Sequence, residues 1–187
     1  TDRGIGILDL AGRMRQVAMP EDLQGGLDQK AKFTSPQMSF PNGCHVCEVE
    51  IDPATGTVQV VGYVAVDDVG IVLNDTIVIG QIHGGVAQGL GQVLGEQVIY
   101  GDDGQLVTAS FMDYVMPRAD DLPMMTVLHH AVPCTTNPLG VKGAGESGVA
   151  GSLPAGVSAV LDALSTRGIT HLDLPLTPER VWNALQE

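Results

Sequence analysis

Residues 44–66 read CHVCEVEIDPATGTVQVVGYVAV, and this stretch decides the fold class. Cys44 to Ile51 alternates in part between apolar and polar positions. Thr57 to Val66 is rich in Val, which suits a pleated, half-buried surface. Between them, Asp52-Pro53-Ala54-Thr55-Gly56 has the chemistry of a turn. Pro presets its φ and Gly accepts a positive one, so the two runs are expected to fold back as an antiparallel hairpin. Val66-Asp67-Asp68-Val69-Gly70 then leads out of the sheet.

Working outward, Ile7, Leu10, Met14 and Val17 mark an amphipathic helix over residues 5–19. Residues 20–42 are rich in Pro, Gly, Asp, Gln and Ser and read as irregular. On the other side of the hairpin, twenty residues from Thr76 to Gly95 carry no formal charge. Their length would permit a transmembrane helix. Three Gln, one His and six Gly argue instead for a helix buried inside a protein. At about 100° per residue, Gln81, Gln88 and Gln92 share one stripe, with Gly85 and Gly95 near it. Ile79, Val86, Leu90 and Leu94 fall opposite. Each Gly costs a helix about 1 kcal/mol relative to Ala, so something must come close to this face. Both a packed neighbour and a ligand satisfy that requirement.

Further on, residues 97–100 and 106–109 flank Gly101-Asp102-Asp103-Gly104 as a second hairpin, and residues 125–132 form a third strand-like run. Residues 133–148 are loop and 149–166 an Ala- and Val-rich helix. Thr177-Pro178-Glu179 starts a last helix, with Thr as N-cap and Pro at the first helical position. Helices and largely antiparallel strands are interspersed without a βαβ rhythm, so the class is α+β. Residues 1–38 form an N-terminal helix and irregular segment, and residues 39–187 the main domain.

Composition narrows function. The 187 residues are 44% hydrophobic and 17% charged, which is a globular balance. Nine Lys and Arg against 22 Asp and Glu leave a net charge of −13. Such a surface repels phosphate backbones and anionic headgroups, so neither nucleic acid nor a membrane is an expected partner. Three cysteines make no disulfide framework and fall short of the four thiolates an iron–sulfur cluster normally takes. Cys44 and Cys47 resemble half a zinc site, but on a strand they point to opposite faces. No metal ligand is therefore assigned, and a reducing, cytoplasmic compartment is expected. The start, Thr1-Asp2-Arg3-Gly4, has neither the basic opening nor the apolar core of a signal peptide. It lacks a Met, as expected of a processed chain or one cut from something longer.

The sharpest chemical segment is Lys142-Gly143-Ala144-Gly145-Glu146-Ser147-Gly148. It contains a formal G-x-G-x-x-G. The dinucleotide-binding motif follows a strand, however, and residues 135–140 make a poor one. What the segment offers is a carboxylate, Glu146, set between glycines ahead of a helix. The glycines let a reacting group come close to the backbone, and a carboxylate held there can act as a general base if burial raises its pKa. Without a function, a Glu there would simply favour the helix N-terminus. His129 and His130 are adjacent on a strand and face opposite ways. His83 lies on the apolar side of its helix, and His45 and His171 have no acidic or Cys partner at ligand spacing.

Three ordered stretches together resemble the C-terminal part of the molybdenum-binding subunit of the xanthine dehydrogenase and aldehyde oxidase family, the molybdenum hydroxylases. The first is Asp67-Asp68-Val69-Gly70 leading to Gly80-Gln81-Ile82-His83-Gly84-Gly85 and Gln88-Gly89-Leu90-Gly91-Gln92. The second is Phe111-Met112-Asp113-Tyr114 with Pro117. The third is Asn137-Pro138-Leu139-Gly140 with residues 142–148, followed by residues 174–182. The resemblance covers about residues 39–187.

That resemblance implies roles. Glu146 matches the catalytic Glu, the general base beside molybdenum. Gln81 matches a Gln that hydrogen-bonds the molybdopterin cofactor, and Lys142, Gly143 and Gly145 would line the same site. The implied reaction is hydroxylation of an aldehyde, an N-heterocycle or a similar small substrate with oxygen from water. Iron–sulfur clusters and FAD would sit on other subunits or domains. The implied partners are the remainder of the molybdenum subunit and the iron–sulfur and flavin subunits. Two departures stand out. Asn74-Asp75 replaces the Asn-Pro common in the family. Family subunits are also several times longer, so this chain would hold one wall of the site and be inactive alone. The alternative is a non-catalytic module that only scaffolds a partner subunit.

Overall fold

The computed structural model describes residues 4–21, 24 and 30–186. The chain divides into two units, Thr1–Pro36 and Gln37–Glu187. In the first, α1 runs Ile7–Met14, shorter than the apolar spacing predicts. Val17 lies beyond its end and is exposed. Thr1-Asp2-Arg3 and part of the irregular segment (22–23 and 25–29) lie outside the described residues.

The second unit is built on the expected hairpin. β1 (Asn42–Ile51) pairs antiparallel with β2 (Val58–Asp68). Asp52 makes the turn in three ways. Its backbone N–H donates to Thr57 O (2.9 Å), its Oδ1 accepts from Ala54 N (2.9 Å), and its Oδ2 accepts from the Thr55 hydroxyl (2.8 Å). Gly56 closes it at φ +74°, where a Cβ would also run into the Pro178 carbonyl and Trp182. A bulge between Glu48 and Val49 leaves Val61 as the extra residue of β2.

Asp67 and Asp68 do not lead out of the sheet. They remain in β2, opposite Gly43 and Asn42, because their buried carboxylates find partners there. β3 (Thr126–His129) joins the other side of β2 in parallel, giving the order β1-β2-β3. The sheet is thus mixed, and the fold is α+β, with one crossover the sequence pattern does not reveal. It includes α2 (Asp75–Leu94), whose N-cap Asn74 accepts from Ile77 N. The second predicted hairpin is reduced to an isolated bridge, Tyr100 to Leu106.

α3 (Ser147–Ser165) packs against both α2 and β1. Among the described residues it is the one helix long and apolar enough for a membrane span. α4 (Pro178–Gln186) begins as expected, with Arg180 N donating to the Thr177 hydroxyl. Two apolar clusters form the core. Val60, Tyr63, Ala65, Ile82, Val86 and Leu90 fill the space between sheet and α2. Val93, Val160, Leu164, Leu176 and Val181 tie α2 to α3 and α4. The buried stripe of α2 is therefore Ile82-Val86-Leu90-Val93, while Gln81, Gln88 and Gln92 are exposed.

Two glycines of α2, Gly85 and Gly89, have a plain use. A Cβ on Gly85 would sit 2.8 Å from Val149 N and 2.9 Å from Gly148 Cα. A Cβ on Gly89 would collide with the Ser152 hydroxyl. What comes close at these positions is α3, not a ligand. Ser152 sits in that seam, donating to Val149 O and Gly85 O.

Candidate functional site

α3 begins where the glycine loop ends, and Glu146 is its N-cap residue. Its side chain makes no capping hydrogen bond and is exposed. It lies on the wall of a cleft of about 720 Å³ shared with Gly143, Gly145, Asn42, His45 and Asp67. Cβ atoms on Gly143 would meet nothing within 4 Å, and on Gly145 only the Gln81 amide nitrogen at 3.9 Å. The backbone at these two positions is therefore bare toward open space. A planar or charged group could lie against it, taking hydrogen bonds that side chains would otherwise obstruct.

Gln81 reaches the same loop from α2. Its Nε2 donates to Gly145 O at 3.2 Å across 64 residues of sequence. So the structure brings Gln81, Gly145 and Glu146 together, with Gly143 on the same wall. Lys142 is placed differently. Its Nζ is turned to Asp68 Oδ2 at 2.5 Å, with both side chains largely buried.

Asp68 is a hub. Its Oδ1 accepts from Gly70 N (2.9 Å) and Val132 N (3.0 Å), and its Oδ2 also accepts from Asn42 Nδ2 (3.4 Å). The Lys142 hydrogen bond, followed by those backbone N–H groups, holds its carboxyl down at about 2. Beside it, Asp67 faces the other way. Its carboxylate lies 3.3 Å from His45 Nε2, while His45 Nδ1 is 2.7 Å from the Tyr63 hydroxyl. The His45 ring packs edge-on to Tyr63 and flat against Gly151, where a Cβ would come within 2.6 Å of it. Burial pushes the Tyr63 phenol well above its ordinary range.

Sequence reasoning gave no role to Asp68, His45, Tyr63 or Asp67. It found no acidic partner near His45 because the partner comes through strand register. His45 pairs with Ala65, so Tyr63 and Asp67 flank it diagonally on the same face. Cys44 is exposed and Cys47 half-buried, its thiol pushed up to about 11 by burial. Among the described residues, no three His, Cys, Asp or Glu side chains are placed to hold a metal ion.

The chain is similar to known proteins. The family model of the molybdopterin cofactor-binding domain matches residues 9–123, more than half of the chain. The match begins at residue 9, before residue 39, where the resemblance read from the sequence begins. The carbon monoxide dehydrogenase large chain of Hydrogenophaga pseudoflava is 39% identical over 168 residues, 90% of this chain and 21% of that one. The nicotine 6-hydroxylase large subunit of Paenarthrobacter nicotinovorans is 42% identical over 88% of this chain and 20% of its own length. The crystal structure of quinoline 2-oxidoreductase from Pseudomonas putida 86 superposes with a TM-score of 0.76 at 44% identity, covering 79% of this chain and 19% of that one. The chain spans about a fifth of the length of these relatives, which are molybdenum hydroxylases. With the bare glycine loop, the Gln81 bridge and these matches together, the chain belongs to the molybdopterin cofactor-binding domain family of the molybdenum-dependent oxidoreductases.

Proposed function

We propose that this chain forms one wall of the active site of a molybdenum hydroxylase, with Glu146 as its general base. The observation that carries the reading is the Gln81–Gly145 hydrogen bond, which sets the amide face of α2 against the loop that ends in Glu146. The open backbone at Gly143 and Gly145 suits a pterin cofactor lying along it. When bound, that cofactor supplies a two-electron acceptor and a metal at which water is activated. Gln81, Gly143 and Gly145 would orient it, with Lys142, held by Asp68, supporting the stem of the same loop. An Oε of Glu146 accepts the proton released as oxygen is transferred to the substrate. A base needs hydrogen-bond reach to its proton, and the exposed, uncapped side chain of Glu146 has that freedom in the cleft.

The substrate class is a small aldehyde, N-heterocycle or comparable molecule. Two relatives are named for nicotine and quinoline, which supports the heterocycle. The remainder of the molybdenum subunit, with iron–sulfur and flavin subunits, would complete the enzyme, so the chain alone is inactive. Its free thiols suit a reducing cytoplasm.

The test is Glu146→Gln in the assembled, molybdenum-loaded enzyme. Loss of a general base predicts a fall in kcat of about 10²–10⁴-fold with molybdenum content unchanged. Turnover within twofold of wild type would refute the role.

A further inference from the structure

The position of Glu146 depends on a loop whose stem is held unusually firmly. Val141 bridges to Gly70, and Ile71 N donates to Gly140 O. Lys142 N donates to Val69 O, and the Asn137 side chain bonds both the N–H and the C=O of Val141. The Gly70, Ile71 and Val69 links join the chain following β2 to the chain entering the loop, and the Asn137 bonds brace the latter from within. The side chains of Asp68 and Lys142 lie over the same junction. Through Asp68, four segments meet: the start of β1 at Asn42, the exit of β2 at Gly70, the exit of β3 at Val132, and the loop at Lys142.

We infer that Asp68 and Lys142 are positioning residues for Glu146, their ion pair fixing the loop stem and hence where the Glu146 carboxylate lies in the cleft. The inference rests on the reading of Glu146 as the base. Lys142 precedes Glu146 by four residues, and the intervening Gly143 and Gly145 offer no side chain to pack. Past Lys142, among the described residues, side-chain hydrogen bonds reach the loop from Gln81 to Gly145 O and from Ser147 at the start of α3 to Ala144 O. The loop is therefore held at its stem by the ion pair and the backbone bonds beside it, near its tip by Gln81, and at the helix start by Ser147. The Glu146 carbonyl accepts from Ala150 N (3.1 Å), but its side chain makes no capping hydrogen bond that would correct an error. A buried carboxylate with three further donors is a fixed object, so a Lys bound to it is fixed too. Misplacement of a reacting group by about 1 Å costs on the order of 10²-fold in rate.

The experiment uses the assembled, molybdenum-loaded enzyme carrying Lys142→Met, Lys142→Arg and the double change Lys142→Met with Asp68→Asn. The double variant removes the charge that Lys142→Met alone would strand. Kcat should fall about 10²-fold in Lys142→Met and in the double variant, KM should stay within about threefold, and Lys142→Arg should recover at least tenfold of the loss. Molybdenum content should be unchanged. Amide hydrogen exchange of peptides across residues 141–148 should quicken about tenfold while α4 peptides keep their rate. Recovery of wild-type kcat in the double variant, no advantage of Lys142→Arg, or unaltered exchange of the loop would each overturn the inference. Glu146→Gln is measured beside them. If it is inactive while the double variant is fully active, only the positioning role fails. If it turns over as wild type, the reading of Glu146 fails and the inference with it.

Discussion

Two glycine-rich stretches of this protein do opposite things. On α2, Gly85 and Gly89 are filled from outside by the backbone and Ser152 of α3. In the loop before α3, Gly143 and Gly145 have almost nothing in front of them. The boundary is Glu146: Gly148, two residues on, is already inside the helix seam, its Cβ position 2.5 Å from Ile82 O. The contrast teaches that a bare backbone marks a ligand site only when nothing in the protein occupies the bareness. The same residue type brings two helices within backbone contact on one side of Glu146. On the other it leaves a cleft wall exposed.

The comparison can be broken at the helix seam first. Gly85→Val should lower stability by roughly 3 kcal/mol, since the new methyl groups would meet backbone that cannot rotate away. Urea denaturation of the chain measures it. Gly85→Val with wild-type stability would mean the seam is looser than described.

The next effect lies at Asp68. Its folded-state carboxyl sits at about 2, below the ordinary carboxylate value. A depressed pKa contributes stability that is fully present above the unfolded value, near 4, and is lost as pH falls toward 2. Asp68→Asn should therefore flatten the decline of the urea midpoint between about pH 5 and pH 2. A decline as steep as wild type would show that the Lys142 pair does not govern it.

Smaller again is Gly56→Ala, which places a Cβ at φ +74° against the Pro178 carbonyl and Trp182 and should cost about 2 kcal/mol. Thr177→Ala removes the N-cap hydrogen bond to Arg180 N and should cost about 1 kcal/mol. Both are read from thermal midpoints. Their order tests whether the hairpin turn is locked by α4 as well as by its own Asp52.

Much of this was legible in residues and some was not. The 44–66 hairpin and the Thr177 cap declare themselves through turn and cap chemistry, which is local. The amide face of α2 follows from helical periodicity, but the meaning of Gly85 does not, because its neighbour lies more than 60 residues away in sequence. The parallel β3 pairing stayed hidden because Thr126–His129 is only four residues long and its partner is a non-adjacent strand. Asp67 and Asp68 read as an exit from the sheet because carboxylates are poor strand residues. Their partners, His45 and Lys142, are visible only once register and loop return are known. Counting register back from the Asp52 turn without the bulge would pair His45 with Val64, so Tyr63 and Asp67 reach its face only through the bulge that the structure shows.

The most direct test of the contrast is Gly143→Val in the assembled enzyme, reading molybdenum per polypeptide and the thermal midpoint together. An open glycine facing a cofactor predicts a midpoint within the range of a surface substitution, about 0.5 kcal/mol of stability, and a large loss of molybdenum. Full molybdenum loading in Gly143→Val would contradict the account, because the cleft wall it describes would then face nothing that needs the backbone bare.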